Sequence, residues 1–263
     1  MIKAESRMDF TRASAGPKPN TVYLFGTCLI DLLYPQAGVS TVHLLEREGV
    51  NVIFPQAQTC CGQPAWNSGY RDEALAVARA QLKLFPRPIP IIAPSASCAG
   101  MIRVHYPTLF KGEPDEASTF DVADRVYELT EFLTDILKVD LTDLGEPTTV
   151  ATHSSCTARR EMNVADRIDL LLDQLQNVTR IEPDNAEECC GFGGTFAIKQ
   201  PEISTAMVLE KAKAIENTGA QQLIGQDCGC LMNIGGALKK QDSQISHVHI
   251  AEFLWDRTHK ATP

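Results

Sequence analysis

"EECCGFGGTF", residues 187–196, sets two cysteines side by side and follows them with glycines. Bridging neighbouring cysteines strains the single peptide between them, because relaxed disulfides hold their Cα atoms about 5.5–6 Å apart. The pair therefore reads as two free thiols kept together for another purpose. "TCCGQPAW", residues 59–66, does the same. Two CCG triplets in one chain call for a search for an internal repeat.

The repeat is there. The first half reads "TVYLFGTCLIDLLY", "GVNVIFPQAQTCCGQPAWNSGY" and "IPIIAPSASCAGMI"; the second reads "TTVATHSSCTARRE", "NVTRIEPDNAEECCGFGGTF" and "GAQQLIGQDCGCLMNI". Cys28 corresponds to Cys156, Cys60 and Cys61 to Cys189 and Cys190, and Cys98 to Cys230, at offsets of 128, 129 and 132 residues; Cys228 is the alternative counterpart of Cys98. With Cys98 paired to Cys230, Cys228 has no partner in the first half. "VYELTEFL" (126–133) and "VHIAEFLW" (248–255) close the two halves alike.

Short β-rich runs at 21–26, 51–54 and 89–93 end just before Cys28, Cys60 and Cys98, and 148–152, 178–182 and 221–225 play those parts in the second half. Helical periodicity follows in "DEALAVARAQLKLF", "ADRIDLLLDQLQ" and "PEISTAMVLEKAKAIENTG", the last opened by Pro201 and closed by Gly219. Strands separated by such helices predict parallel βαβ units. The fold class expected is α/β, two tandem Rossmann-like parallel-sheet halves related by internal duplication. The domain reading is a disordered tail at 1–20, a first half at 21–140 and a second at 148–256. "FKGEPDEAST" and "LTDLGEPT" carry turn residues expected near the junction. In an open parallel sheet, ligands sit beyond the carboxyl ends of the strands. The repeated cysteines are thus expected to gather at one edge of each half, giving two equivalent sites.

Composition bounds the partners. A formal net charge of -9 over 263 residues argues against nucleic acid or an anionic membrane surface. No window reaches the ~20 apolar residues of a membrane helix, so an integral membrane protein is not expected. The N-terminus lacks the apolar core of a secretory signal. Nine cysteines without such a signal suit a reducing, cytoplasmic setting, where they act as metal ligands or catalytic thiols rather than a disulfide framework.

Clustered thiols serve zinc binding, iron–sulfur ligation or dithiol redox. Structural zinc sites take ligands in close pairs, ferredoxin clusters use C-x₂-C-x₂-C, and thioredoxin-like redox uses C-x-x-C. None of these patterns is present. What remains is four or five thiolates drawn from three separate loops in each half. Adjacent thiolates can reach neighbouring irons of a cluster too wide for one zinc, and Gly62 or Gly191 removes a Cβ that would crowd it.

The pattern of Cys, 31 or 32 residues, Cys-Cys-Gly, 35 or 36 residues (the latter counted to Cys228), Cys resembles the cysteine-rich CCG domain family. That family includes the B subunit of heterodisulfide reductase, the iron–sulfur subunit of glycolate oxidase and lactate-utilisation proteins. "CCGQPAWNSGY", "CCGFGGTF" and "GCLMNIGG" most resemble the lactate-utilisation members. The resemblance covers roughly residues 20–256. It implies up to two iron–sulfur clusters per chain, of [4Fe-4S] type. It further implies electron transfer in the oxidation of L-lactate to pyruvate, alongside partner subunits that include a ferredoxin-type iron–sulfur subunit. On that basis Cys28, Cys60, Cys61, Cys98, Cys156, Cys189, Cys190 and Cys230 are metal ligands, and Cys228 joins them as a cofactor-binding candidate. The chain departs from the heterodisulfide-reductase form, which ends each motif in C-x-x-C. Here Met101 stands at the fifth position of the first half and the second ends in C-x-C. Glycolate oxidation, heterodisulfide reduction and a zinc-binding scaffold remain alternative roles.

Other residues carry plainer readings. His153, three before Cys156, could bind a metal, donate to sulfur or be structural. His247 and His249 share one side of a strand and read as structural. "GFGGTF" fails the dinucleotide pattern at Phe196, so Gly193 and Gly194 are loop glycines. Trp66 and Phe192 follow the two triplets and could shield a cluster or simply pack.

Overall fold

The computed structural model describes residues 17–259. Most of the tail read at 1–20 therefore lies outside the described residues. Two four-stranded sheets, all parallel, form the frame. The first comprises β1 (Thr21–Leu24), β2 (Asn51–Ile53), β3 (Ile91–Ala93) and β4 (Val126–Glu128), in the order β2-β1-β3-β4. The second comprises β5 (Thr148–His153), β6 (Val178–Ile181), β7 (Gln222–Gly225) and β8 (Ser246–His249), in the order β6-β5-β7-β8. The shared order and matching pairings (Val22 with Val52, Val150 with Arg180) make the second sheet a repeat of the first. The closing elements supply the fourth strand of each sheet.

The helices form where apolar residues recur at helical spacing. Arg71–Leu82 buries Ala74, Leu75 and Ala78 on one face. Pro201–Asn217 starts at its proline, and the chain leaves it through Gly219 at φ +65°. Two segments differ from their sequence reading. Helix Arg167–Leu172 is shorter than "ADRIDLLLDQLQ" suggests, although the buried Ile168, Leu171 and Leu172 lie within it. "FKGEPDEAST" is no junction. Gly112, at φ +83°, turns the chain, and helix Glu116–Ala123 then leads into β4.

The halves share a core. Val22 and Ile92 of the first sheet and Val150 and Ile224 of the second belong to one buried apolar cluster with Leu44, Phe132, Leu171 and Leu254 from the intervening helices. Leaving these faces in water would cost about 25 cal/mol per Å² of apolar surface. The segment joining the halves is pinned by the C-terminal helix. Arg257 donates to both carboxylate oxygens of Asp143, at 2.8 and 2.7 Å, and to the Glu146 carbonyl at 2.6 Å.

A buried ion pair holds the end of the first sheet. Arg103, 4% exposed, lies in a π-helical stretch, Met101–His105, beyond β3. It donates to Glu131 at 2.6 and 3.1 Å and to the Val126 carbonyl at 3.0 Å. Glu131 also accepts from the Glu128 N–H at 3.2 Å. Arg103→Met should lower the unfolding free energy by about 3–5 kcal/mol, because it strands a buried carboxylate. Chemical denaturation checks this, and a change within experimental error would show that the pair contributes no net stability.

Candidate metal centre

Each repeated cysteine follows the carboxyl end of a strand. Cys28 and Cys156 open short helices after β1 and β5, while Cys98 and Cys230 lie in the first turns of helices after β3 and β7. Both of those strand pairs flank the point where strand order reverses, which is where parallel sheets leave a crevice. The cysteine pairs arrive on the loops after β2 and β6.

The CCG turn is built alike in both halves. Gly62 and Gly191 adopt φ +88° and +81°. Each turns its N–H back onto the first sulfur of its pair, Gly62 to Cys60 Sγ and Gly191 to Cys189 Sγ, both at 3.4 Å. A Cβ on Gly191 would lie 2.8 Å from the Ser204 carbonyl, and one on Gly62 would lie 3.4 Å from that of Ala74. The glycine is thus required by the turn and by the helix behind it, not by crowding on the sulfur side. The carbonyl of the second cysteine is satisfied by a different residue in each half, Tyr106 Oη for Cys61 at 2.9 Å and Asn233 Nδ2 for Cys190 at 2.8 Å.

The two quartets open into one shared space. Cys28, Cys60, Cys61, Cys98, Cys156, Cys189, Cys190 and Cys230 all line one cavity of about 160 Å³ between the halves. Helix Ala96–Gly100 of the first half packs on Cys156–Arg160 of the second, and Gly100 lets Thr157 approach where a side chain would collide. Asp227, 4% exposed, caps both cysteine-bearing helices. Its Oδ1 accepts from Gly229 N at 3.1 Å, and its Oδ2 accepts from Ser97 N at 2.9 Å and Ser95 Oγ at 3.2 Å. A carboxylate at helix N-termini is favoured by their unpaired N–H groups.

All nine cysteines are free thiols. Cys61 and Cys98 sulfurs lie 3.4 Å apart, and those of Cys190 and Cys230 lie 3.2 Å apart. The Cys28 thiol, hydrogen-bonded to Cys60, is the main cause holding Cys60 far below the ordinary thiol range; the Cys61 thiol and the Gly62 N–H assist against the opposing effect of burial. Cys156, Cys190 and Gly191 do the same for Cys189. In return Cys28, Cys61, Cys156 and Cys190 are pushed up, first by those bonds and then by burial. In each quartet one sulfur, Cys60 or Cys189, thus ionises more readily than the thiols bonded to it. Binding a metal ion must release their protons.

The remaining candidates fall in different places. Cys228 does not line the cavity; it is 1% exposed and packs with Ile30 and Ala37 of the first half. Met101 is buried in the first half's core. His153 is 2% exposed, and burial pushes it down to about 4, so the imidazole is neutral at pH 7. One of its nitrogens and the sulfurs of Cys190 and Cys230 all lie within 4.8 Å of one another. The buried His249 accepts from Ala251 N at 3.2 Å and caps the last helix, and the exposed His247 packs over Gly235. Phe192, Gly193 and Gly194 line the cavity. Gly229 lets the Phe192 ring approach the start of the helix that carries Cys230. Trp66 instead packs against His105, with ring centroids 5.6 Å apart. Sequence reading missed Asp227. Its only trace there is an aspartate one residue before a helix, a common capping signal.

The CCG cysteine-rich domain model matches the chain twice, over residues 22–103 and 150–235. The chain belongs to this family of cysteine-rich domain proteins. It is similar along nearly its whole length to lactate utilization protein A of Oceanobacillus iheyensis, 46% identical over 242 residues, covering 91% of this chain and 97% of that protein. The protein of that name from Bacillus pumilus is 45% identical over 239 residues, covering 90% and 99%. Among solved structures, a hypothetical protein from Helicobacter pylori shares the fold at a TM-score of 0.66 and 14% identity. The match covers 96% of this chain and spans about half, 52%, of that one.

Brief alkylation of the reduced, metal-free chain at about pH 6 should modify Cys60 and Cys189 several-fold faster than Cys28 and Cys156, because thiolate, not thiol, is the nucleophile. All four are partly exposed, so access does not decide the order. Equal labelling in peptide mass mapping would refute that order of ionisation.

Proposed function

We propose that this chain is an iron–sulfur electron-transfer subunit of a complex that oxidises L-lactate to pyruvate. The observation that carries the proposal is the convergence of eight free thiols, in duplicated register, on one cavity. Relatives about 45% identical over most of the chain and named for lactate utilization supply the substrate.

Cys28, Cys60, Cys61 and Cys98 would hold one group, and Cys156, Cys189, Cys190 and Cys230 the other. The donor set fits: four thiolates serve a [4Fe-4S] cluster. The Gly62 and Gly191 N–H groups point at sulfur, and such donors tune a cluster's potential. A bound cluster would supply single-electron uptake and release. Phe192 covers part of the cavity and keeps water from the sulfurs. Cys228, packed among aliphatic side chains, acts as a core residue in this reading.

The sequence holds no flavin or nicotinamide motif, so partner subunits, a ferredoxin-type iron–sulfur subunit among them, take the neighbouring steps in the cytoplasm. Apolar side chains left exposed near both sites, Leu32 and Leu33 on the helix opened by Cys28 and Ile198 and Ile203 after the second CCG loop, support docking of partners. No described helix is long and apolar enough to cross a membrane.

One observation favours zinc as a second reading. The sulfur separations of 3.4 and 3.2 Å are near the roughly 3.8 Å between sulfurs on one tetrahedral zinc with bonds of about 2.3 Å. Around a polynuclear core the thiols would have to spread.

Anaerobically purified protein should contain iron and acid-labile sulfide in about equal amounts, and deletion of its gene should abolish growth on L-lactate but not on glycolate. Zinc without sulfide would overturn the iron–sulfur assignment. Loss of growth on glycolate alone would move the substrate.

A further inference from the structure

The second half offers five sulfurs in sequence, yet its fifth cysteine, Cys228, points away from the cavity into a cluster with Ile30 and Ala37. An imidazole that likewise lies outside the cavity lining stands close to two sulfurs of the quartet. His153 ends β5, and one of its nitrogens lies within 4.8 Å of Cys190 Sγ and Cys230 Sγ. Its Nε2 is buried and has no hydrogen-bond partner. Leaving a buried polar atom unpaired costs about 1–3 kcal/mol, so the position calls for a reason.

The duplication shows that the fold does not require that nitrogen. At the offset relating Cys28 to Cys156, the counterpart of His153 is Phe25. Phe25 is 0% exposed and packs against Phe85, with centroids 6.1 Å apart. The same strand end is thus filled by an apolar ring in one half and by an imidazole with a free, buried nitrogen in the other. Neutral imidazole is a metal ligand, and the nitrogen and two sulfurs sit close enough to share one ion.

We infer that His153 is a nitrogen ligand of the second site, the fifth donor of that half in place of Cys228. This rests on the iron–sulfur reading above. The two sites of the chain then differ in kind, all-thiolate in the first half and mixed sulfur and nitrogen in the second.

The test uses anaerobically purified holoprotein. Pulsed EPR of the reduced protein should show a strong nitrogen coupling that changes when histidine alone is isotopically labelled. The coupling should disappear in His153→Phe, which copies the first half, and persist in Cys228→Ala. A redox titration of His153→Phe should move one midpoint potential and leave the other in place. Full iron and sulfide content with no histidine coupling in the wild-type protein overturns the inference while the iron–sulfur function stands. Because that measurement needs no variant, misfolding of His153→Phe cannot mask the answer. Protein devoid of sulfide overturns both.

Discussion

Thiolate sulfurs that share one confined space repel one another and resist ionising together, and this constraint organises the centre of the molecule. The chain meets it by letting one sulfur of each quartet, Cys60 or Cys189, ionise more readily, held by thiol donors and a glycine N–H. Cys28, Cys61, Cys156 and Cys190 are pushed up by those bonds and by burial. Such a set is poised for a metal, which replaces several protons at once. The rest of the architecture brings these sulfurs together: parallel strands aim their carboxyl ends at one edge, and two copies of that edge face each other.

Fusing the halves does more than double the ligand count. Asp227 belongs to the second half yet caps a helix of the first as well as its own. Its counterpart in the first half, Ser95, makes no cap of its own and donates to Asp227 instead. The cavity's shape therefore depends on contact between the halves. Their common core, with Val22, Ile92, Val150 and Ile224 in one cluster, holds that contact rigid.

The duplication has also diverged where it touches chemistry. Gln81 and Lys211 both lie buried on the helix after a CCG turn and brace the loop before it. Gln81 donates to Thr59 Oγ1 at 2.7 Å, and Lys211 donates to the Asn185 carbonyl at 2.5 Å. The first is neutral; the second places a cation beside its quartet, though burial lowers the pKa of that lysine. With Phe25 against His153, the halves keep one backbone and present different electrostatics to their sulfurs.

The strands, the long helices, the doubled register and the eight cysteines were legible in the sequence, because periodicity and spacing are local properties of a chain. Sequence by itself determined that four thiols in each half follow strand ends and that glycine must follow each pair. Only the tertiary structure decided that both quartets open into one cavity, that Cys228 turns into the core, that Asp227 spans the halves and that His153 stands beside sulfur. Those outcomes depend on how two sheets pack across a shared core. That packing is set by the summed burial of residues scattered through the chain, and no local spacing encodes it.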